Sequence, residues 1–373
     1  MRLNIGIYNL HMRAMGGGEK LTLALAEHLS QTNNLYVFTG EPLDVGSLER
    51  FFDVDLSRVH IVPLKRIAPL SRVAAKVRRQ NSRAVSLHHF RQLKNFNLDL
   101  FVNNSYASDL HCPAARGIYM CMFPHMIQDA DAVNSYSQIV AISKYSADWV
   151  EKLWNRRAEI IYPPCDDMGP PEPKAKMILH VGRFIADGED ERHYKGQRLK
   201  LHAFDALTDL QQSGWELHFA GSIAPDNGSR HFANAILEVA TASPVFFHFN
   251  ASREELRSLY RQAAIYWHAT GYGSDAGRYP AKQEHFGIST VEAMSAGSVP
   301  VVYAAGGQKE IVTDGMDGLW WTDLEGLITH TRRLASDSAL RCALAQHATI
   351  SSQRFGKSVF AAQVDQLIAK SAQ

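Results

Sequence analysis

Short apolar runs alternate with amphipathic stretches along the chain, and the alternation starts twice. Leu3–Tyr8 reads as a strand, followed by Gly16, Gly17 and Gly18 and then by Leu21, Leu25 and Leu29 at helical spacing. Leu35–Thr39, Leu98–Val102, Gly117–Phe123, Gln138–Ile142 and Glu159–Tyr162 carry the strand signature next. Pro163, Pro164, Gly169, Pro170, Pro171 and Pro173 then cluster as a linker would. Met177–Val181 restarts the pattern and ends in Gly182-Arg183, with a helix after Lys195-Gly196. Trp215–Ala220, Val245–Phe249, Ile265–His268 and Val299–Tyr303 follow as strands. Ser252, with Glu255 three residues later, reads as a capping box opening a helix that runs through Ala263.

Strand–helix alternation in two halves predicts an α/β protein of two doubly wound domains, one over residues 1–168 and one over 174–354. Ligands of such sheets bind beyond the C-terminal ends of the strands. The glycine triplet, Arg183 and Glu284 all follow predicted strands, so they are expected to gather on those edges.

Composition narrows the function. The 373 residues carry a net charge of +1, so no overall field points to nucleic acid. Cys112, Cys121, Cys165 and Cys342 form no CxxC pair and no zinc spacing, as in a reducing cytoplasm. MRLNIGIYNL turns polar too soon for a signal peptide, and no run reaches the ~18 apolar residues of a membrane span. The expected location is cytoplasmic. One local bias stands out: no acidic residue occurs between Asp55 and Asp99, while residues 58–94 carry basic residues from Arg58 and Lys65 to Arg91 and Lys94. Leu70, Val73, Val77, Leu87, Phe90 and Leu93 are interleaved at helical spacing. This reads as helices with a basic face, either a solvated surface or one drawn to an anionic membrane or a diphosphate-bearing acceptor.

The segment EHFGISTVE at 284–292 is the most informative. It sets two carboxylates around Phe286-Gly287-Ile288, where a helix start offers free N–H groups to phosphate. Glu284 lies before that helix, whereas Ser289 and Glu292 also fit a capping box, a purely structural use. Arg183 and Lys195 are two cations able to clamp a diphosphate. Gly17 and Gly18 would let backbone approach a ligand, although a tight turn explains them as well. His268 ends a strand on the same edge, and His125 follows Phe123-Pro124. His88-His89 reads as surface. The triplets Asp53-Val54-Asp55 and Asp129-Ala130-Asp131 lack the context of a metal site.

The segment EHFGISTVEAMSAGSVPVV, with Gly306-Gly307 and Glu310-Ile311-Val312 after it, closely resembles the Glu-x7-Glu region of glycosyltransferase family 4. HVGRF at 180–184 with Lys195-Gly196 is similar to that family's diphosphate element, and GGGEK at 16–20 to its N-terminal glycine loop. EHFGI and the QIVAISKYSADWVEKLW–IIYPP stretch resemble mannosyltransferase-like members. The resemblance implies a GT-B fold, two Rossmann-like domains facing a central cleft, with residues 355–373 as a helix crossing back to the N-terminal domain. It implies a retaining, metal-independent hexosyltransferase with no cofactor. The co-substrate would be a nucleotide sugar, GDP-mannose favoured, and the acceptor a glycan or lipid-linked glycan, as in polysaccharide or lipopolysaccharide synthesis. Arg183 and Lys195 would hold the diphosphate, Glu284 the sugar hydroxyls, and Glu292 the ribose. Phe286, Gly287 and Ile288 would face the phosphate or sugar, with Phe249 beside the base. Met122 stands where related enzymes often place a histidine before an aromatic-Pro pair, so His125 is the catalytic candidate there. Arg278 and Lys282, in a long loop over 271–283, are offered to the acceptor. The acidic run Asp187–Glu191 would repel phosphate and is expected to loop outward. A UDP-hexose transferase, a GT-B epimerase or hydrolase, and a non-catalytic partner subunit are the alternatives.

Overall fold

The computed structural model describes residues 2–12, 16–65, 78–126, 129–185, 195–223, 226–240 and 243–370, with backbone alone over 78–83. The acidic run Asp187–Glu191 and the basic residues from Arg66 to Lys76 lie outside the described residues. The chain divides into two compact units, Met1–Pro164 with Lys357–Gln373, and Cys165–Gly356.

The first unit is built on seven strands: β1 (Asn4–Tyr8), β2 (Asn34–Thr39), β3 (Val59–Pro63), β4 (Leu100–Asn103), β5 (Arg116–Cys121), β6 (Gln138–Ala141) and β7 (Glu159–Ile160). They pair in parallel in the order β3-β2-β1-β4-β5-β6-β7. β3 falls in the basic stretch, where sequence reading registered no strand. Farther along, the helix Arg78–Leu93 buries His89 and Leu93 and leaves Leu87 exposed. His89 is therefore not a surface residue. Its Nδ1 lies 2.9 Å from the Tyr8 hydroxyl, and burial pushes the imidazole down to about 4. The helix Lys357–Lys370 returns to this unit, where Asp365 meets His28 at 2.7 Å and Lys370 meets Glu159 at 2.6 Å.

The second unit holds β8 (Ala175–Val181), β9 (Glu216–Gly221), β10 (Val245–Phe249), β11 (Ala263–His268), β12 (Val299–Tyr303) and β13 (Leu319–Trp321). They too pair in parallel, in the order β10-β9-β8-β11-β12-β13. Alternate residues serve opposite faces. Ile178, Ile265 and Trp267 pack into one core, Met177, Leu179 and Tyr266 into another. A sheet covered on both sides favours apolar residues on both faces, which is why β11 and β12 read as near-continuous apolar runs, while His180 and His218 interrupt those of β8 and β9. The expected capping box at 252–255 is half formed. The Ser252 hydroxyl accepts from the Glu255 N–H at 3.2 Å, but the Glu255 carboxylate meets His248 instead. That helix spans Arg253–Gln262.

Candidate functional site

In the second unit the chain runs outward from β8 through β9 to β10, then returns to the other side of β8 as β11. β8 and β11 are thus the neighbours at which the strand order reverses, the place where ligands of such sheets bind, beyond the C-terminal ends of the strands. Arg183, Lys195, His268 and Glu284 belong to this edge. His268 is the last residue of β11, and Arg183 lies two residues beyond β8.

Glu284 organises the group. Its Oε2 accepts from Lys195 Nζ at 2.7 Å and from His268 Nε2 at 3.2 Å. The Lys195 and Glu284 side chains are 18% and 17% exposed, so the ion pair is shielded yet reachable. Burial pushes His268 down to about 4, against the opposing pull of Glu284. The imidazole is therefore neutral, and it carries its proton on Nε2, the atom facing the carboxylate. His180 on β8 is buried beside it, with Nδ1 3.1 Å from the Trp267 carbonyl. Burial holds His180 well below the usual histidine range.

Arg183 is half-buried, and its loop is fixed by backbone. Gly182 N donates to Ala220 O and Phe184 N to Ser222 O, both at 2.9 Å. Gln197, wholly buried two residues after Lys195, donates to the Arg183 carbonyl at 3.1 Å. Gln197 thereby ties the two candidate cations' segments together, a role sequence reading missed. No side-chain ion pair holds Arg183 among the described residues.

The helix Ile288–Ser295 is capped by Gly287, not by Ser289. The Ser289–Glu292 capping box does not form. Ser289 is the second helical residue, and its Oγ accepts from the Tyr266 hydroxyl at 2.8 Å. Glu292 is turned inward and accepts from the Tyr260 hydroxyl at 3.0 Å. Gly287 has φ 122°, and a Cβ there would collide with Gln308 Nε2. Gln308, also missed by sequence reading, is wholly buried. It donates to the Phe286 carbonyl at 3.0 Å and accepts from Thr290 Oγ1 at 2.9 Å. Gly307 N donates to the Glu284 carbonyl at 2.8 Å, and a Cβ on Gly306 would strike that same carbonyl. Close backbone packing by the Gly306-Gly307 pair therefore sets the Glu284 loop. Phe286 is buried with its ring edge-on to Phe355, and Ile288 opens the helix whose first N–H groups have no intrahelical acceptor. Phe249 ends β10 and packs against Phe184 at 4.9 Å between ring centroids.

Gly17, Gly18 and His125 lie in the first unit. The two glycines open the helix Gly17–Ser30, and a Cβ on Gly18 would come 2.7 Å from Met122 Sδ. Met122 thus occupies the place facing the glycine turn. His125 instead points its Nε2 to Asp109 Oδ1 at 3.2 Å, with its ring edge-on to Trp154. The aspartate triplets serve local structure. Asp129 caps the helix Ala130–Asn134, Asp53 ends the helix Val45–Phe52 at φ 54°, and Asp55 accepts from Ser57 N. In the long loop, Arg278 and Lys282 both lie over the Tyr279 ring, at 5.2 and 4.9 Å.

Residues 169–349 match the family model of glycosyl transferases group 1. The chain is 28% identical over 193 residues to the GDP-Man:Man(3)GlcNAc(2)-PP-Dol alpha-1,2-mannosyltransferase of Xenopus laevis, an overlap covering 48% of this chain and 36% of that protein. It is 26% identical over 290 residues to the D-inositol 3-phosphate glycosyltransferase of Corynebacterium efficiens, covering 71% of this chain and 62% of that protein. The matched region thus spans less than two thirds of the length of either relative. Two solved structures superpose along nearly the whole chain. Anabaena HepE, in complex with UDP and glucose, gives a TM-score of 0.72 at 15% identity, covering 99% of this chain and 100% of that one. Sucrose-phosphate synthase from Thermosynechococcus elongatus gives 0.71 at 16%, covering 99% of each. The fold is that of the GT-B glycosyltransferases, two parallel-sheet Rossmann-like domains. Residues 169–349 thus match a glycosyl transferases group 1 domain, within a chain of GT-B fold.

Proposed function

We propose that the protein moves a hexose from a nucleoside-diphosphate sugar to a hydroxyl of a glycan or lipid-linked glycan. The transfer would retain anomeric configuration and need no metal, as in family 4. The observation that carries this reading is the Lys195–Glu284–His268 group beside the N-terminus of the helix Ile288–Ser295. As the sugar–phosphate bond breaks, negative charge grows on the leaving diphosphate. Lys195, Arg183 and the free helix N–H groups are the fixed positive partners for it. Glu284 would take the sugar hydroxyls, and neutral His268 would hold that carboxylate in place. An acceptor hydroxyl would attack from the front face, its proton passing to the departing phosphate oxygen. Glu292 would meet the ribose, and the end of β10 near Phe249 would border the base.

GDP-mannose is the first donor to test, because the curated relatives include a GDP-Man-dependent mannosyltransferase. A UDP-hexose is the second, because the HepE structure contains UDP and glucose. A calorimetric panel of GDP-, UDP- and dTDP-sugars, followed by nucleoside diphosphate release with and without an acceptor, tests the reading. Binding of no nucleotide sugar would overturn it. Equal release without acceptor would favour a hydrolase or epimerase. The basic 58–94 stretch is proposed to meet an anionic membrane on its inner face, and sedimentation with phosphatidylserine vesicles tests that. No helix among the described residues is long and apolar enough to cross a membrane.

A further inference from the structure

The helix Gln197–Asp205 buries Gln197, Lys200, Leu201 and Phe204, one stripe at helical spacing. Lys200 is thus a lysine on the face turned into the core, and it is wholly buried. A charged ammonium is costly in such a place unless an anion accompanies it. Lys200 Nζ donates to the Lys195 carbonyl at 2.5 Å, and no carboxylate pairs with it among the described residues.

Among the described residues, the ionisable groups around it come from four elements. Lys195 lies in the loop before the helix, Glu284 in the loop before the helix Ile288–Ser295, His180 on β8 and His268 on β11. Both histidines are neutral, and the one carboxylate among these described groups, Glu284, is engaged with Lys195. Among the described residues, the cluster therefore has charge balance for one lysine and not for two.

We propose that Lys200 is a positioning residue that holds Lys195 through its carbonyl and takes up a proton when a diphosphate binds beside Lys195. This rests on the reading of that edge as the diphosphate site. In the free protein, burial first and the Lys195 charge second hold Lys200 well below the usual lysine range, with Glu284 opposing. A bound dianion supplies the missing counter-charge and favours the ammonium form. By linkage, diphosphate affinity then falls as pH rises through the free-state titration of Lys200.

The test uses the whole protein labelled at lysine 13Cε, with inorganic pyrophosphate as the probe and Lys200→Met to assign the resonance. Saturating pyrophosphate should move the Lys200 midpoint up by about one unit or more, equivalent to about tenfold tighter binding by the protonated form. Calorimetry in two buffers of different ionisation enthalpy should show proton uptake in the wild type and none in Lys200→Met. Methionine keeps the volume and removes the buried amine, so the variant should melt no lower than wild type. An unmoved Lys200 midpoint, the same proton uptake in Lys200→Met, or a failure of pyrophosphate to bind would overturn the proposal. These readouts need no sugar transfer. A shifted Lys200 without turnover of any nucleotide sugar would uphold the coupling and remove the proposed activity. Turnover with an unmoved Lys200 would do the reverse.

Discussion

Lys195 Nζ lies 2.7 Å from Glu284 Oε2, although 89 residues separate them in the chain. The pair places a cation and the first carboxylate of the Glu-x7-Glu segment in one contact. Both side chains keep a small exposed fraction, so the contact orients Lys195 while leaving it reachable.

Lys195→Ala and Arg183→Ala should each lower turnover by about two orders of magnitude or more, the scale for losing a fixed partner of developing charge. Melting temperatures should move by a few degrees at most. Steady-state rates and thermal unfolding of the two variants check this. Near wild-type rates in both would remove the diphosphate clamp.

Glu292 does not cap its helix, so Glu292→Gln keeps a carbonyl oxygen for the Tyr260 hydroxyl and should leave stability nearly unchanged. If Glu292 meets the ribose, donor affinity falls about tenfold, on the scale of a hydrogen bond to a charged group. Calorimetric donor titration beside a melting curve separates the two effects. A lower melting temperature with unchanged donor affinity would return Glu292 to a structural role.

His268 predicts an acid-side loss of stability. Its folded value is about 4 against 6.5 for the free side chain, so the unfolded chain holds more protons between those values. Stability then rises with pH across that window and is lost on acidification through it, by about 3 kcal/mol for this group. Urea unfolding at about pH 7 and pH 4.5 should show a smaller loss for His268→Gln than for wild type. Equal losses would mean that His268 is not held neutral.

Much of this was legible in the sequence, and the exceptions have physical causes. The buried strands β8, β9, β11 and β12 read clearly because a doubly covered parallel sheet favours near-continuous apolar runs. β3 did not, because an edge strand is only half covered and its neighbours are basic. β13 has three residues, too few for any period to emerge. At 289–292 two local signals competed. The box pattern favoured Ser289 as the cap, but close packing of Gln308 requires a glycine in an unusual conformation at 287, and that starts the helix. Lys200 was hidden by its own charge, although positions 197, 200, 201 and 204 form a core stripe. Gln197 acts through a side-chain bond to the Arg183 carbonyl, and Gln308 through bonds to the Phe286 carbonyl and the Thr290 hydroxyl, contacts that leave no pattern in a sequence.

Gly287→Ala should destabilise the second unit by roughly 1–3 kcal/mol or more, since a side chain is strained at φ 122° and the new Cβ strikes Gln308. Thermal unfolding measures it. Gln308→Ala in the same chain should relieve the collision but not the backbone strain, so it should recover only part of the loss.

Full turnover should persist in excess chelator, because the positive partners proposed for the leaving diphosphate are side chains and backbone. Strict dependence on an added divalent ion would bring Asp53, Asp55, Asp129 and Asp131 back into consideration.

The edge holding Lys195, His268 and Glu284 is proposed to receive a nucleoside-diphosphate sugar. Donor titration of the wild type beside Lys195→Ala tests it most directly. One nucleotide sugar should bind and stabilise the wild type as RT ln(1 + [L]/Kd), with most of that stabilisation absent in the variant. No binding by any nucleotide sugar, or equal binding by both proteins, would contradict it.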